Sequence, residues 1–350
     1  METIVQTYRF PQGALEEHIL VSAAHPSLDF PAQLQAVLEE AGKAAGVQFR
    51  RFFLSDAANQ APLLEQALGA LPPVPTSIVQ QAPLDGTRIA LWLYCAAPGS
   101  AYSHCWDASL TGAEGDSRSQ MEDIFGQLEK RLAQRGMDIP AHTVRTWIFV
   151  RDIDTNYAGV VTGRRDFFGR IGLTPSTHFI ASTGIEGSHP DWRNKVMTDV
   201  YSIGGLREGQ VSYLYAPDHL SPTSLYGVTF ERGAAVTYGD RKHIFISGTA
   251  SIDAKGQVLH PGDAGTQAGR MLENIGALLT EAGAGFGDIA MAIVYLRDPA
   301  DYPRVLAVIS RACPSLHALY VHAPVCRPAW LVEMECIAVT PAGDPRYPAF

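Results

Sequence analysis

Apolar residues recur at helical spacing in three stretches of the chain, and a short apolar strand follows each stretch. In the last third, residues 266–283 carry regularly spaced apolar side chains, which predicts an amphipathic helix, and AGAGFGD ends it before the strand IVYLRD at 293–298. The earlier examples are a helix over 121–132 before WIFVRD at 147–152 and a helix over 34–41 before RFFLSD at 51–56. All three strands end in Asp, and this shared order predicts an internal repeat.

The repeat predicts an α+β fold built from three similar units. Helices would cover one face of each sheet, so the opposite face must be buried elsewhere. Three like units can bury these faces against one another around a pseudo-threefold axis. Stretches rich in Pro, Gly and Ser near 96–116 and 216–227 mark boundaries and give units at 1–110, 111–222 and 223–350.

Composition and charge narrow the class of function. The chain of 350 residues is 46% hydrophobic and 18% charged, as in ordinary globular proteins. A net charge of -9 without any basic run argues against nucleic acid as a partner, although a local group of arginines can still bind a small dicarboxylate. No apolar run reaches the roughly 18 to 20 residues of a membrane span, and the first residues lack a leader pattern. We therefore expect a cytoplasmic protein without membrane contact.

The sequence carries no signal for a metal or an organic cofactor. Its five cysteines are scattered without a CxxC pair, which favours neither a disulfide framework nor a zinc site. There is also no Gly-rich phosphate loop and no ligand-spaced pair of histidines. We therefore expect that the protein uses no cofactor and no metal.

A resemblance to the RidA/YjgF family appears in FISGTASIDAKGQVLHPGDAGTQAGRMLENIGALLTEAGAGFGDIAMAIVYLRD and in LVEMECIAVTP near the end. These segments have the family's SG turn, long helix, GDI entry into a strand and closing ExE strand. The resemblance implies RidA-like (chorismate-mutase-like) units and, because RidA proteins are trimers, a monomer that forms an internal pseudo-trimer. The family's deaminases hold the substrate carboxylate with an arginine, and that position is Leu319 or Tyr320 here.

The central third resembles the chorismatases, which are RidA-related enzymes with three units in one chain. The resemblance is carried by RTWIFVRDIDTNYAGVVTGRRDFFGRIGL and THFIASTGIEG, and it extends from about residue 115 onward. It implies chorismate as a small-molecule substrate, an active site between the central and C-terminal units, and Glu333 as proton donor. It also implies the type that forms 3-hydroxybenzoate and pyruvate, because Cys326 and Gly239 match that type's cysteine and hairpin glycine.

The chemistry of the residues themselves is compatible with this role. On a strand, Glu333 and Glu335 point to the same face, which is the face that a pseudo-trimer would close. Burial raises the pKa of a carboxyl group and keeps it protonated near neutrality, as a general acid requires. The simpler alternatives are two solvated acids, an inert thiol at Cys326 and a turn glycine with positive φ at Gly239.

Two substrate carboxylates call for cationic or phenolic donors. The candidates for substrate binding are Tyr157, Arg164, Arg165, Tyr213, Tyr215 and Arg297. Three other functions stay open: a chorismate hydrolase that gives a dihydroxycyclohexadienoate, a RidA-like enamine/imine deaminase, and a non-catalytic RidA-like ligand-binding protein. Formation of 4-hydroxybenzoate as a second product is also left open.

Overall fold

The structure is a computed structural model that describes residues 3–350, without the side chains of residues 224 and 226. It contains three sheets, each covered by helices on one face. The first has the order β1-β2-β5-β3-β4. Its strands are β1 Thr3–Arg9, β2 Glu16–Ala23, β3 Val47–Leu54, β4 Thr76–Gln80 and β5 Ile89–Ala96, with helices α1 Phe30–Ala41 and α2 Ala57–Leu68.

The second and third sheets follow in chain order. The second has the order β6-β9-β7-β8, and the third has the order β10-β11-β12-β15-β13-β14. The second comprises β6 Ser103–Thr111, α3 Ser117–Gln134, α4 Ile139–His142, β7 Thr143–Val150, α5 Ile153–Arg170, β8 Ala181–Glu186 and β9 Val196–Gly204. The third comprises β10 Val211–Leu214, β11 Gly233–Thr237, β12 Lys242–Ala250, α6 Ala264–Glu281, β13 Ile289–Leu296, α7 Tyr302–Ala312, β14 Ala318–His322 and β15 Val332–Thr340.

One four-stranded arrangement recurs in all three sheets and confirms the predicted fold class. The recurring orders are β2-β5-β3-β4, β6-β9-β7-β8 and β12-β15-β13-β14. In each of them the last two strands are parallel and the other neighbours are antiparallel. The three units therefore share one topology as well as one sequence pattern.

The sheets divide the chain earlier than the boundaries predicted at 110/111 and 222/223. Strand β6 pairs with β9 of the second sheet, so a boundary at 110 would cut it. Strand β10 pairs with β11, so the Pro- and Ser-rich stretch at 216–227 connects two strands of the third sheet. The assignment of independent domains stays a prediction.

Aspartate side chains begin most of the long helices, as their side-chain oxygens accept hydrogen bonds from amides of the first turn. The capping residues are Asp29, Asp56, Asp116 and Asp263. Helix α5 begins differently, because Asp152 has a φ of 49° and makes no such bond. The Glu186 carboxylate accepts instead from the amides of Asp152 and Ile153, at 3.0 and 2.7 Å. None of the helices within residues 3–350 combines the length and apolarity needed to cross a bilayer.

The helix-free faces of the sheets meet at a common centre. The indole rings of Trp92, Trp106 and Trp147 pack there with centroid separations of 5.7 to 6.1 Å. Each of the three interfaces between units also contains a buried pair of an arginine and a carboxylate. These pairs are Arg51 with Asp199, Arg145 with Glu335, and Arg241 with Glu16. The recurrence of one pair per interface fits the pseudo-threefold arrangement.

Three histidines, one from each unit, lie near this centre, and two of them are fully buried. They are His18 on β2, His104 on β6 and His243 on β12. The His104 Nδ1 atom makes a hydrogen bond of 2.6 Å with the Tyr201 hydroxyl. Burial lowers the pKa of His104 to about 4 and also lowers the pKa of His18, because a charged imidazolium loses its hydration there.

We expect the free energy of unfolding to decrease as the pH falls from about 6.5 toward 4. Over that range the unfolded chain binds protons at His104 and His18, whereas the folded protein keeps both rings neutral. A shift of this size at His104 corresponds to about 3–4 kcal/mol. Urea denaturation at a series of pH values measures the slope, and His104→Gln should flatten it. An equal slope in the variant would show that His104 does not contribute.

Candidate active site

A cavity lies between the central and C-terminal units, and its empty space of about 560 Å³ includes open solvent. The central unit contributes Tyr157, Arg164, Ser182 and Gly184, and the connection into β11 contributes Val228, Phe230 and Arg232. The C-terminal unit contributes Gly248, Ala250, Ile252, Cys326, Arg327, Trp330 and Glu333.

Glu333 is the one carboxylate in this cavity lining. It lies near the start of β15, opposite Ala250 of β12 and Tyr295 of β13, and only 4% of its surface is exposed. Burial and, after it, the nearby charge of Glu335 raise its pKa to about 8. A large fraction of Glu333 is therefore protonated at neutral pH, and the residue can act as a general acid.

Gly248 provides the space for the Glu333 carboxyl group. It lies in the register shift of β12 against β15 between Ile246 and Thr249. A Cβ atom at this position would overlap Glu333 Oε1, so a side chain here would displace the carboxyl group. The Gly248 amide donates to Thr183 Oγ1 of β8 at 2.9 Å, which fixes the irregular strand against the central unit.

Tyr157 and Cys326 form a second side of the cavity next to Glu333. Tyr157 extends from α5 and lines the cavity together with the Cys326 thiol. Burial and the neighbouring Glu333 raise the pKa of Cys326 to about 12, and burial raises the pKa of Tyr157. Both groups are therefore neutral at physiological pH, and the thiol is not a thiolate nucleophile.

Three arginines line the same cavity. Arg164 of α5 is 3% exposed and donates to Thr229 Oγ1 and Ser182 Oγ at 3.0 and 3.3 Å. Arg232 donates twice to the Ser221 carbonyl at 3.0 and 3.3 Å. Arg327 lies over the Trp330 ring, 5.0 Å from its centroid. With Glu333 protonated, the lining is positively charged and suits a ligand with more than one carboxylate.

The structure brings together four of the nine residues predicted for the site: Glu333, Cys326, Tyr157 and Arg164. Gly239 lies outside the cavity. It belongs to the turn between β11 and β12, about 20 Å along β12 from Gly248. The C-terminal tail passes so close that a Cβ would overlap the Tyr347 carbonyl, and the φ of Gly239 is not positive. This close approach is what requires glycine there.

Arg165 and Arg297 also lie outside the cavity lining. Neighbouring residues of a helix point in different directions, so Arg165 faces solvent and contacts Asp166 at 3.4 Å. Arg297 makes two hydrogen bonds with Asp154, at 2.7 and 2.9 Å, and one with the Val325 carbonyl at 2.8 Å. It therefore holds the backbone next to Cys326 rather than a ligand.

Tyr213 on β10 and Tyr215 just after it were also predicted to bind substrate, and both lie outside the cavity. The Tyr213 ring stacks on His178 with a centroid separation of 4.7 Å. Tyr215 is 49% exposed and lines a neighbouring cavity that includes Glu231 and Arg232. Neither side chain belongs to the cavity around Glu333.

The C-terminal unit has recognisable relatives. A family model described as Endoribonuclease L-PSP matches residues 234–340. The 3-aminoacrylate deaminase RutC of Acinetobacter baylyi is 33% identical over 97 residues, which are 27% of this chain and 77% of that protein. A RutC family protein of Pyrococcus abyssi is 36% identical over 97 residues, which are 27% of this chain and 76% of that protein. The chain belongs to the endoribonuclease L-PSP (RutC) family.

The fold likeness extends beyond this RutC-family unit to the whole chain. A crystal structure of a chorismatase matches 96% of this chain and 98% of its own, with a TM-score of 0.66 and 16% sequence identity. The three-unit architecture is thus shared with that enzyme. At this level of identity the likeness concerns the fold.

The acid occurs in one of the three clefts of this RutC-family chain. Glu333 lies opposite Tyr295, the second-last residue of β13. The equivalent position is Met197 in the second sheet and Ala90 in the first, because these residues lie opposite the second-last residues of β7 and β3. The cleft of the central and C-terminal units is therefore the one with this carboxylate.

Within residues 3–350, no group of three or more His, Cys, Asp and Glu residues can hold a metal ion.

Sequence reasoning missed Arg232, Arg327 and Gly248. Arg327 directly follows the predicted Cys326, and Gly248 belongs to the SG turn that carries the family resemblance. Arg232 immediately precedes β11 without any distinguishing pattern. Arg327 and Gly248 therefore had a usable local signal in the sequence, whereas Arg232 reaches the cavity only through tertiary packing.

Proposed function

We propose that this protein is a chorismatase that converts chorismate into pyruvate and 3-hydroxybenzoate. The observation that carries the proposal is the buried, largely protonated Glu333 in a cavity with three arginines, between the central and C-terminal units. Chorismate is a dianion with an acid-labile enol ether. An enzyme that cleaves it must supply cations for the two carboxylates and one proton donor next to the enol ether.

The first step is proton transfer from the Glu333 carboxyl group to the methylene carbon of the enol ether. The double bond supplies the electron pair for the new C–H bond, and an oxocarbenium ion forms next to the substrate carboxylate. Arg164, Arg232 and Arg327 hold the two carboxylates and orient the methylene carbon toward Glu333. The oxygen at ring carbon 3 then leaves with pyruvate as its carbonyl oxygen.

The 4-hydroxyl group of the ring attacks carbon 3 as this bond breaks. Its proton returns to the Glu333 carboxylate, and the resulting arene oxide opens to 3-hydroxybenzoate. No water is consumed, so the two products together are isomeric with chorismate. The largely apolar wall of Val228, Phe230, Ile252 and Trp330 supports this route over hydrolysis, because it offers few partners to hold an attacking water.

The glycine that leaves space in the site is Gly248 in this proposal, in place of Gly239. Its missing side chain lets the Glu333 carboxyl group approach the substrate from the β12 side. Gly239 is assigned instead to the packing of the C-terminal tail.

Enamine deamination is the second candidate function, because the C-terminal unit is related to a protein named 3-aminoacrylate deaminase. Glu333 would then protonate the enamine carbon. The arginine expected for that chemistry is replaced by Leu319 or Tyr320 on β14, and neither residue lines the cavity.

Incubation of the purified protein with chorismate tests the proposal. Chromatography should identify 3-hydroxybenzoate and an equal amount of pyruvate, with any 4-hydroxybenzoate measured in the same run. In ¹⁸O-water the phenolic oxygen should remain unlabelled, whereas a dihydroxycyclohexadienoate, labelled or not, would indicate hydrolysis. Ammonia release from an enamine generated in situ, without turnover of chorismate, would favour the deaminase.

We expect Cys326→Ala to retain pyruvate release within about tenfold and to change the aromatic product. The thiol contacts Tyr157 beside Glu333, and its removal leaves room for a water next to the ring. The product should therefore shift toward the dihydroxycyclohexadienoate, as measured by chromatography. Cys105→Ala, outside the cavity, is the matched control and should keep the native product. Loss of pyruvate release in Cys326→Ala would assign the thiol to the first step instead.

A further inference from the structure

We infer that Glu335, through its buried ion pair with Arg145 of the central unit, is a positioning residue that keeps Glu333 in its proton-donating form. The inference rests on the proposed function, because it concerns the acid of that reaction. Glu335 does not touch the substrate, but it links Glu333 to the contact between the central and C-terminal units.

The geometry places a fixed negative charge next to Glu333. Glu335 lies two residues further along β15, so both side chains point to the same face with Cα atoms about 6.6 Å apart. Glu335 is 1% exposed. Its Oε2 accepts from Arg145 Nη2 at 2.6 Å, and its Oε1 accepts from Trp147 Nε1 at 2.8 Å. Both oxygens of Glu335 are thus held by donors of the central unit.

This carboxylate disfavours a second negative charge at Glu333. The charge of Glu335 is the largest cause after burial that raises the pKa of Glu333, and Arg145 and Arg232 act in the opposite direction. The other groups that face Glu333 are the neutral Tyr157 and Cys326 and, across the cavity, the cations Arg164 and Arg327. Glu335 is therefore the group that offsets the surrounding arginines.

The same ion pair is connected to the shape of the site. Arg145 Nη2 also donates to Thr183 Oγ1 at 2.6 Å, and Thr183 accepts the Gly248 amide at 2.9 Å. Gly248 is the residue that leaves space for the Glu333 carboxyl group. Arg145 therefore joins the charge at Glu335 to the irregular strand beside Glu333.

The neighbouring interface supplies an internal comparison. Asp199 occupies the position of Glu335 in the second sheet, opposite Trp147, and pairs with Arg51 of the first unit at 2.8 Å. The position of Glu333 is Met197 there. A buried ion pair can thus serve packing alone in this fold, and the test must separate that role from an effect on Glu333.

The test is the pH dependence of kcat/KM for chorismate in the native enzyme, Glu335→Gln and Arg145→Met. The native activity should fall above a pH near 8, where Glu333 loses its proton. Glu335→Gln removes the negative charge and leaves Arg145 unpaired, so the decline should move at least one unit lower. Activity at pH 8 should then be at least about fivefold below that of the native enzyme and recover near pH 6. Arg145→Met should move the decline in the opposite direction.

The double variant Glu335→Gln/Arg145→Met is the matched control, because it removes both charges and should return the decline toward the native pH. A packing defect would not move the pH of the decline in opposite directions when the two partners of one ion pair are replaced separately. A decline that stays at the native pH in whichever single variant folds would overturn the inference, as would a loss that is equal at all pH values.

Failure of the proposed function would give a different result. In that case neither the native enzyme nor any variant turns over chorismate. The carboxyl titration of Glu333 is then followed by ¹³C NMR with labelled glutamate, assigned by comparison with Glu333→Gln. A titration that does not move in Glu335→Gln would contradict the inference independently of turnover.

Discussion

Glu333→Gln is expected to lower turnover of chorismate by about 10² to 10⁴, which is the usual contribution of general acid catalysis. The amide keeps the shape and the buried position of the side chain but has no proton of suitable acidity. Binding of a chorismate-like inhibitor should stay within a few fold, because the three arginines of the cavity are unchanged. Steady-state kinetics and calorimetric titration of the inhibitor measure the two effects.

Glu186→Gln is the matched control for this substitution. The pKa of Glu186 is also raised by burial, but the residue ends β8, accepts from amides at the start of α5, and lies outside the cavity around Glu333. Its turnover should stay close to the native value. A loss of less than about tenfold in Glu333→Gln would mean that the proton comes from another group.

Asp199→Asn is expected to destabilise the fold by about 3–5 kcal/mol, because it leaves Arg51 as an unpaired buried cation. Both side chains are fully buried, and the closest oxygen and nitrogen are 2.8 Å apart. The Arg51 guanidinium also lies about 5 Å from the centroids of the Trp92 and Trp147 rings. Equilibrium urea denaturation gives the free energy of unfolding directly.

A second variant separates the unpaired charge from the loss of contacts. Arg51→Met/Asp199→Leu removes both charges and should recover most of the lost stability, because apolar replacements of a buried pair are often neutral. Asp191→Asn, which disrupts an exposed pair with Arg193, should cause no measurable change. A stability of Asp199→Asn equal to that of the native protein would contradict the role assigned to this interface.

The helices and strands of the repeat could be predicted because their signals are local. The predicted helix over 266–283 corresponds to α6 at Ala264–Glu281, and its apolar stripe is buried. The period of two along LVEMEC correctly placed Glu333 and Glu335 on the face away from the helices. These features depend on side-chain periodicity and need no knowledge of distant contacts.

The choice of the glycine in the site could not be made from local periodicity. Gly239 lies in the turn before β12 and Gly248 lies near the end of that strand, and another group approaches each of them closely. The C-terminal tail approaches Gly239, whereas the Glu333 carboxyl group approaches Gly248. Both groups are distant in sequence, so the local sequence carries no information on which end faces the cavity.

The sequence by itself determined the three-unit α+β pattern and the side of β15 on which the acid lies, because periodicity is a property of neighbouring residues. Only the tertiary structure decided which charges meet in the cleft. Arg164 and Arg165 are adjacent in the chain, yet one is buried in the cavity and the other faces solvent, since α5 presents a single face to the core. Arg232 enters the site from a connecting segment whose path is set by the docking of whole units. Such contacts arise between residues far apart in sequence, and the packing of complete sheets selects them.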